Sequence, residues 1–174
     1  MKTTIISKAT LGVLAIASLL LTSCRSDGGF DYDHSALYLS GTEENPVVKF
    51  VVEDTPASYA VTVQSTEKVA SDVNLTLAID RAKVEEYNKT NKTNFFAIPE
   101  GAVELDNSQV TISEGNAISS AATVKVVSTE AFEEGATYMI PVTIQNVSGG
   151  MTDVIEGSRT IFLRVSRVIN FAAV

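Results

Sequence analysis

Alternation of apolar and polar residues dominates this chain. Val73, Leu75, Leu77 and Ile79 interleave with Asn74, Thr76, Ala78 and Asp80, the period of a half-buried strand. Tyr59, Val61 and Val63 repeat the pattern, as do Tyr138, Ile140, Val142 and Ile144. Val110 with Ile112, Val124 with Val126, and Ile161 with Leu163 and Val165 form further strands. Val48, Phe50 and Val52 predict another, and Ala36–Ser40 a short one near the start. The whole predicts an all-β antiparallel fold of about 8–9 strands, a sandwich or a barrel.

One segment departs from the period of two. In Asp80–Lys89, Asp80 can cap a helix start, Val84 and Tyr87 share a face, and Glu85 with Lys89 form an i,i+4 pair. This predicts one short crossover helix between sheets, stopped near Asn88–Asn94. Pro141 is the second departure, inside the best-patterned strand. Proline cannot donate to a ladder, so this strand is expected at an edge, or bulged there.

Composition supports the pattern. Residues 24–174 hold 20 Val, 9 Ile and 14 Thr against 6 Leu. β-branched side chains lose rotamer freedom in helices and pack well on pleated sheets. Residues 1–23 contain two lysines and no acid, which leaves the remainder with a net charge of −10. That balance opposes nucleic-acid binding, which needs positive charge facing phosphate. A single Cys excludes an intramolecular disulfide and a Cys/His zinc cluster.

The chain begins differently. Met1–Lys8 is polar with two lysines, and Ala9–Leu21 is a run of 13 residues without a charge. A spanning helix needs about 20 apolar residues, so the shorter run predicts a signal peptide over residues 1–23. The run ends in Leu21-Thr22-Ser23-Cys24. This resembles a bacterial lipobox, which implies lipidation of Cys24; the alternative is an ordinary signal peptide with a chance cysteine. Each buried CH₂ of an attached chain contributes about 0.8 kcal/mol, so two or more chains hold a protein on its membrane. Arg25 stands where an Asp would be the familiar inner-membrane retention signal, so the outer membrane is the expected destination.

Residues 24–34 follow as an acidic tether with Asp27, Asp31 and Asp33 among glycines. These acids resemble the export signal of Bacteroidetes surface lipoproteins in a dispersed form. They lack the spacing and closing Glu of a Ca²⁺-binding EF-hand loop. The sandwich domain is expected over residues 35–174.

A longer resemblance runs through the body of the chain. It is carried by Tyr87-Asn88, Phe95-Phe96-Ala97-Ile98-Pro99, Val103-Glu104-Leu105, Val110–Gly115 and Gly135–Val142. In this order they are similar to a domain-of-unknown-function family of Bacteroidetes surface lipoproteins, over about residues 35–168. The resemblance implies an immunoglobulin-like N-terminal sandwich, encoded with starch-utilisation-like glycan uptake systems. In many members a second domain, lectin-like or a glycoside hydrolase, follows and carries the chemistry. Here the sequence stops at Asn170–Val174, directly after the last expected strand, so a function borrowed from such a second domain is not expected of these residues.

Catalytic chemistry finds few candidates. His34 is the only histidine and falls in the tether, which leaves a Ser or Cys nucleophile without a rigid base. Glycosidases hold two carboxylates about 5–9.5 Å apart. The doublets Glu43-Glu44, Glu85-Glu86 and Glu133-Glu134 are adjacent residues that point apart, the ordinary form of solvated surface. No catalytic residue, metal ligand or cofactor is assigned, and the expectation is a protein that is not an enzyme.

Glycan binding needs exposed aromatic faces beside hydrogen-bonding groups. Trp is absent. In an extended Phe95-Phe96 pair one ring faces the core and the other does not, and Tyr38 opposes the face of Leu37 and Leu39. Tyr38 and Phe96 are therefore the candidate ligand contacts, set against plain packing under a loop or at a domain edge. The Asn-x-Ser/Thr triplets at Asn74, Asn88, Asn91 and Asn146 carry no meaning in a bacterial lipoprotein.

Three functions are weighed. The leading one is a non-catalytic surface lipoprotein held on the outer membrane by its lipid, accessory to glycan capture or uptake. Its partners would be a polysaccharide or an outer-membrane uptake complex, with the periplasmic face as the other location. The alternative is a structural spacer or surface-fibre subunit acting through strand-edge contacts. A hydrolase using a carboxylate doublet is the third.

Overall fold

β-branched alternation places one row of each strand against a partner layer, and the chain builds two layers on that basis. The computed structural model describes residues 34–53 and 55–167. Within them lie β1 (Leu37–Leu39), β2 (Val47–Val52), β3 (Ala57–Val61), β4 (Val63–Ser65) and β5 (Val73–Ile79). Helix α1 (Ala82–Asn91) follows, then β6 (Phe96–Ala97), β7 (Val103–Asp106), β8 (Gln109–Ile112) and β9 (Ala122–Val126). β10 (Tyr138–Gly149) and β11 (Thr160–Arg167) complete the described chain. The expected lipidation at Cys24, the signal peptide and most of the tether lie outside the described residues.

The larger sheet runs β2-β11-β10-β5-β8, with β6 beside the start of β10. β2 joins β11 in parallel, and the other neighbours are antiparallel except β6. The opposing layer is β3-β9-β7, together with the β1-β4 pair. Between them Phe50, Leu75, Leu77, Ile112, Ile140, Val142, Ile161 and Leu163 meet Val61, Ala122, Val124 and Val126 in one contiguous core. This is the all-β sandwich that the alternation predicts, with more strands than expected. One reason is Thr62, where a single expected strand changes partner: β3 pairs with β9, and β4 pairs with β1. The others are β6, whose two residues are too few to show a period, and β7, whose Val103 and Leu105 form a separate short strand.

Asp80 starts the helix as expected: its Oδ1 accepts the Ala82 N–H at 3.2 Å and its C=O accepts the Lys83 N–H at 3.1 Å. Glu85 and Lys89 pair at 2.8 Å. The helix does not itself cross between sheets. It lies on the outer face of the larger sheet, where Val84 covers Met139 and Phe162, with Val47, Tyr87, Phe95 and Ala97 around them. Covering a side chain of that size contributes about 1.5–3 kcal/mol. The change of sheet comes later, between β6 and β7.

Pro141 corrects a second expectation. β10 is a central strand, flanked by β11 on one side and by β5 and β6 on the other. Pro141 sits opposite Phe162 on the first side. On the second it lies in the gap between β6, which reaches Met139, and β5, which begins at Val142. Its C=O accepts the Asp80 N–H at 3.1 Å. The absent N–H would have pointed at the Asp80 C=O, which instead opens the helix. Nor does the strand bulge at the proline: the register shift falls between Ile144 and Asn146. The extra residue there, Gln145, reverses the faces, so Val142 and Ile144 point inward before it and Val147 packs on the core after it.

Candidate functional site

The two candidate aromatics lie on different layers, and the structure does not bring them together. Tyr38 is half-buried on the outer face of β1, opposite Leu37 and Leu39 as expected. Its hydroxyl donates to Gln64 Oε1 at 3.1 Å, and Gln64 Nε2 donates to Ser40 Oγ at 3.0 Å. Ser40 and Thr62 share a hydrogen bond of 2.7 Å. Burial first, and then the nearby Glu43 carboxylate, hold the Tyr38 phenol above its ordinary pKa. Tyr38 is thus one member of a polar chain across the β1-β4 pair.

Phe96 belongs to a more concave place. The end of α1 sets its direction: Lys92 closes the helix in the left-handed region (φ 55°), and the chain turns back along the helix. The Asn88 side chain then engages the Phe95 backbone, and the Tyr87 ring lies 6.1 Å from Phe95 and 4.8 Å from Phe162. With Phe95 held inward, Phe96 points out and remains 50% exposed. Its ring meets Tyr138 at 6.0 Å, and Tyr138 stacks on Phe132 at 4.5 Å and 30°. The Tyr138 hydroxyl accepts the Glu133 N–H at 2.9 Å and ties down the loop that leads into β10.

Beside this row opens a cleft of about 630 Å³, lined among others by Phe95, Phe132, Glu133, Glu134, Thr137 and Arg164. Its volume falls within the range of small-molecule sites, and it combines aromatic walls with charged and hydroxyl groups. From the sequence Phe96 stands out and Tyr138 is a core position, which is where it lies, while Glu133-Glu134 read as plain surface and instead line the cleft. The one local signal was Phe132, a lone aromatic in an acidic loop. The other doublets face lysines or the Tyr38 phenol: Glu85 pairs with Lys89, Glu86 with Lys83 at 2.7 Å, and Glu43 lies near Tyr38. Among the described residues no group of three or more His, Cys, Asp or Glu could hold a metal ion. His34 is exposed at the start of that range.

Fold and cleft together define a two-layer immunoglobulin-like module with an aromatic-edged groove. The model of an N-terminal domain family matches residues 32–151, and the chain belongs to that family, a Bacteroidetes domain of unknown function. No curated protein matches it.

Several solved Bacteroides structures share the fold. One is a Bacteroides ovatus protein put forward as a carbohydrate binding protein, with a TM-score of 0.64 and 20% identity over 77% of this chain and 37% of that one. Another is EndoBT-3987 of Bacteroides thetaiotamicron, solved with a Man5GlcNAc product, with a TM-score of 0.60 and 23% identity over 75% and 30% of the two chains. A two-domain Bacteroides fragilis protein of unknown function gives 0.59 and 11% over 77% and 46%. The chain therefore spans less than half the length of each of these three proteins.

Proposed function

We propose that this protein is a non-catalytic cell-surface lipoprotein, anchored in the outer membrane through lipid on Cys24, which takes part in glycan capture or uptake. The observation that carries the reading is the row of Phe132, Tyr138 and Phe96 beside a cleft edged by Glu133, Glu134, Thr137 and Arg164. Aromatic faces cover the apolar side of a sugar ring while flanking polar groups meet its hydroxyls. The shared fold with a proposed carbohydrate binding protein and with EndoBT-3987, solved with a Man5GlcNAc product, supports the glycan association. Tyr38, in its polar chain on the other layer, is the lesser candidate contact.

The test is affinity electrophoresis of the purified full chain through gels carrying plant, mucin and microbial polysaccharides. Retardation by at least one of them, abolished by Phe96→Ala or Phe132→Ala, is the expected result. Free migration in every gel would overturn the glycan role. Release of reducing ends, lost when Glu133 and Glu134 are both changed to Gln, would overturn the non-catalytic part. The anchor is checked separately, since Cys24→Ala should move the protein from the membrane to the soluble fraction.

A further inference from the structure

β2 is the outer strand of the larger sheet, and among the described residues no strand pairs with its far side. Its phase is fixed by β11, because the Phe162 N–H donates to the Pro46 C=O at 2.7 Å. In that phase Val48, Phe50 and Val52 turn their backbone groups toward β11, while Val47, Lys49 and Val51 turn theirs away. The Val47 N–H is taken by Asn45 Oδ1 at 2.9 Å. Lys49 and Val51 therefore present N–H and C=O groups outward, and the Val51 side chain is 42% exposed on the outer face.

Two other edges are blunted. Along β8, the Ser120 N–H donates to the Thr111 C=O at 3.0 Å and the Thr111 N–H donates to Ser120 Oγ at 3.2 Å. Along β1, the Leu37 N–H donates to the Asp153 C=O at 2.8 Å, and the Ile155 N–H to the Leu37 C=O at 2.9 Å.

Lys49 and Val51 share one face at the open edge, and Glu53, in the bend one residue beyond β2, continues their alternate spacing; both charged residues are exposed. Read antiparallel against itself, this triplet is complementary. We propose that β2 pairs with β2 of a second copy of this chain about a two-fold axis at Val51. Val51 then lies opposite the partner's Val51, Lys49 opposite the partner's Glu53, and Glu53 opposite the partner's Lys49. Oppositely charged cross-strand pairs stabilise a ladder, and like charges directly opposite destabilise it. An axis at Lys49 would set two ammonium groups face to face and would require the Val47 N–H that Asn45 holds. An axis at Phe50 would leave both charges opposite valines. Only the axis at Val51 satisfies the charges and the free backbone groups together, and it joins the two larger sheets into one. A lysine on an edge ordinarily discourages strand addition. Here it admits one register.

Cysteine crosslinking and sedimentation of the full chain in detergent test this pairing. Directly opposed residues of a hydrogen-bonded antiparallel pair have Cα atoms about 5.5 Å apart, inside the range a disulfide spans. Val51→Cys should therefore give a covalent dimer on mild oxidation. The unsubstituted chain and the exposed control Ile118→Cys should not. Glu53→Cys alone should stay monomeric on the denaturing gel, while a mixture of Lys49→Cys and Glu53→Cys chains should crosslink. Lys49→Glu should weaken dimerisation roughly tenfold or more, and adding Glu53→Lys should restore it. A chain that sediments as a monomer at all concentrations, a Val51→Cys variant that links no faster than the Ile118 control, or a double reversal that fails to rescue would each overturn the proposal.

Discussion

The side-chain amide of Asn88 brackets the backbone of Phe95, accepting its N–H at 3.0 Å and donating to its C=O at 2.8 Å. It also accepts the Thr93 hydroxyl at 2.9 Å. One helix residue thus acts as a strand partner for the segment that follows it, and decides which of two neighbouring phenylalanines turns outward.

Asn88→Ala should leave the Phe95 N–H and C=O without these bonds in a half-buried setting, at a cost of about 1–3 kcal/mol. Asn88→Asp keeps the acceptor and loses the donor, and should fall between Ala and the native residue. Urea unfolding of the three proteins checks the order. If Phe96 contacts glycan, Asn88→Ala should also reduce retardation in polysaccharide gels although Asn88 does not line the cleft.

Phe95 and Phe96 should respond differently to truncation. Phe95→Ala removes a ring from the cluster beneath the helix and should cost about 1.5–3 kcal/mol. Phe96→Ala removes a ring that already meets solvent, and should cost less than about 1 kcal/mol while abolishing polysaccharide retardation. Equal losses of stability would show that Phe96 serves packing instead.

The raised pKa of Tyr38 predicts an alkaline effect with a definite sign. The folded state holds the phenol proton more tightly than the unfolded state, so this contribution is complete below about pH 10 and is lost as pH rises through the folded value. Absorbance titration of the phenolates should show a late component that Tyr38→Phe removes. The same substitution should cost about 0.5–1.5 kcal/mol near neutral pH through the lost bond to Gln64.

Gly149 ends β10 at φ +114°, and a Cβ there would run into the Asp72 carbonyl. Gly149→Ala should destabilise by about 1–3 kcal/mol or more, since it meets both an unfavourable backbone region and fixed main chain. By contrast, Gly101→Ala meets no neighbouring atom and should carry only the conformational part of that cost. Thermal melts of the pair separate the two contributions.

Strands that alternate over a long stretch were legible in the sequence, because burial on one face leaves a period of two that local reading detects. β5 and the first half of β10 are the clear cases. The helix was legible through Asp80, Val84 and the Glu85–Lys89 pair. β6 was not, since two residues carry no period and their pairing depends on Asn88 and on Thr137, whose C=O accepts the Phe96 N–H at 3.0 Å. Pro141 misled for a related reason: the rule against central prolines assumes a continuous neighbour, and here the neighbouring row is made of two strands with a gap between them. The cleft was only partly legible. Phe96 stood out from the Phe-Phe pair, but the lining comes from three separate segments, Phe95, the loop of Phe132 to Thr137, and Arg164 in β11, and nothing local connects them.

The parallel pairing of β2 with β11 has a consequence in time. Val47 lies beside Phe162, well over a hundred positions later in the chain. Until that last strand arrives, the six residues of β2 have no neighbour in their sheet, and half of the apolar floor beneath the helix is missing. Closing so long a loop is slow, and contacts of this range hold back folding until nearly the whole domain is present. An incomplete chain would therefore keep Val47–Val52 without a strand neighbour until β11 is present.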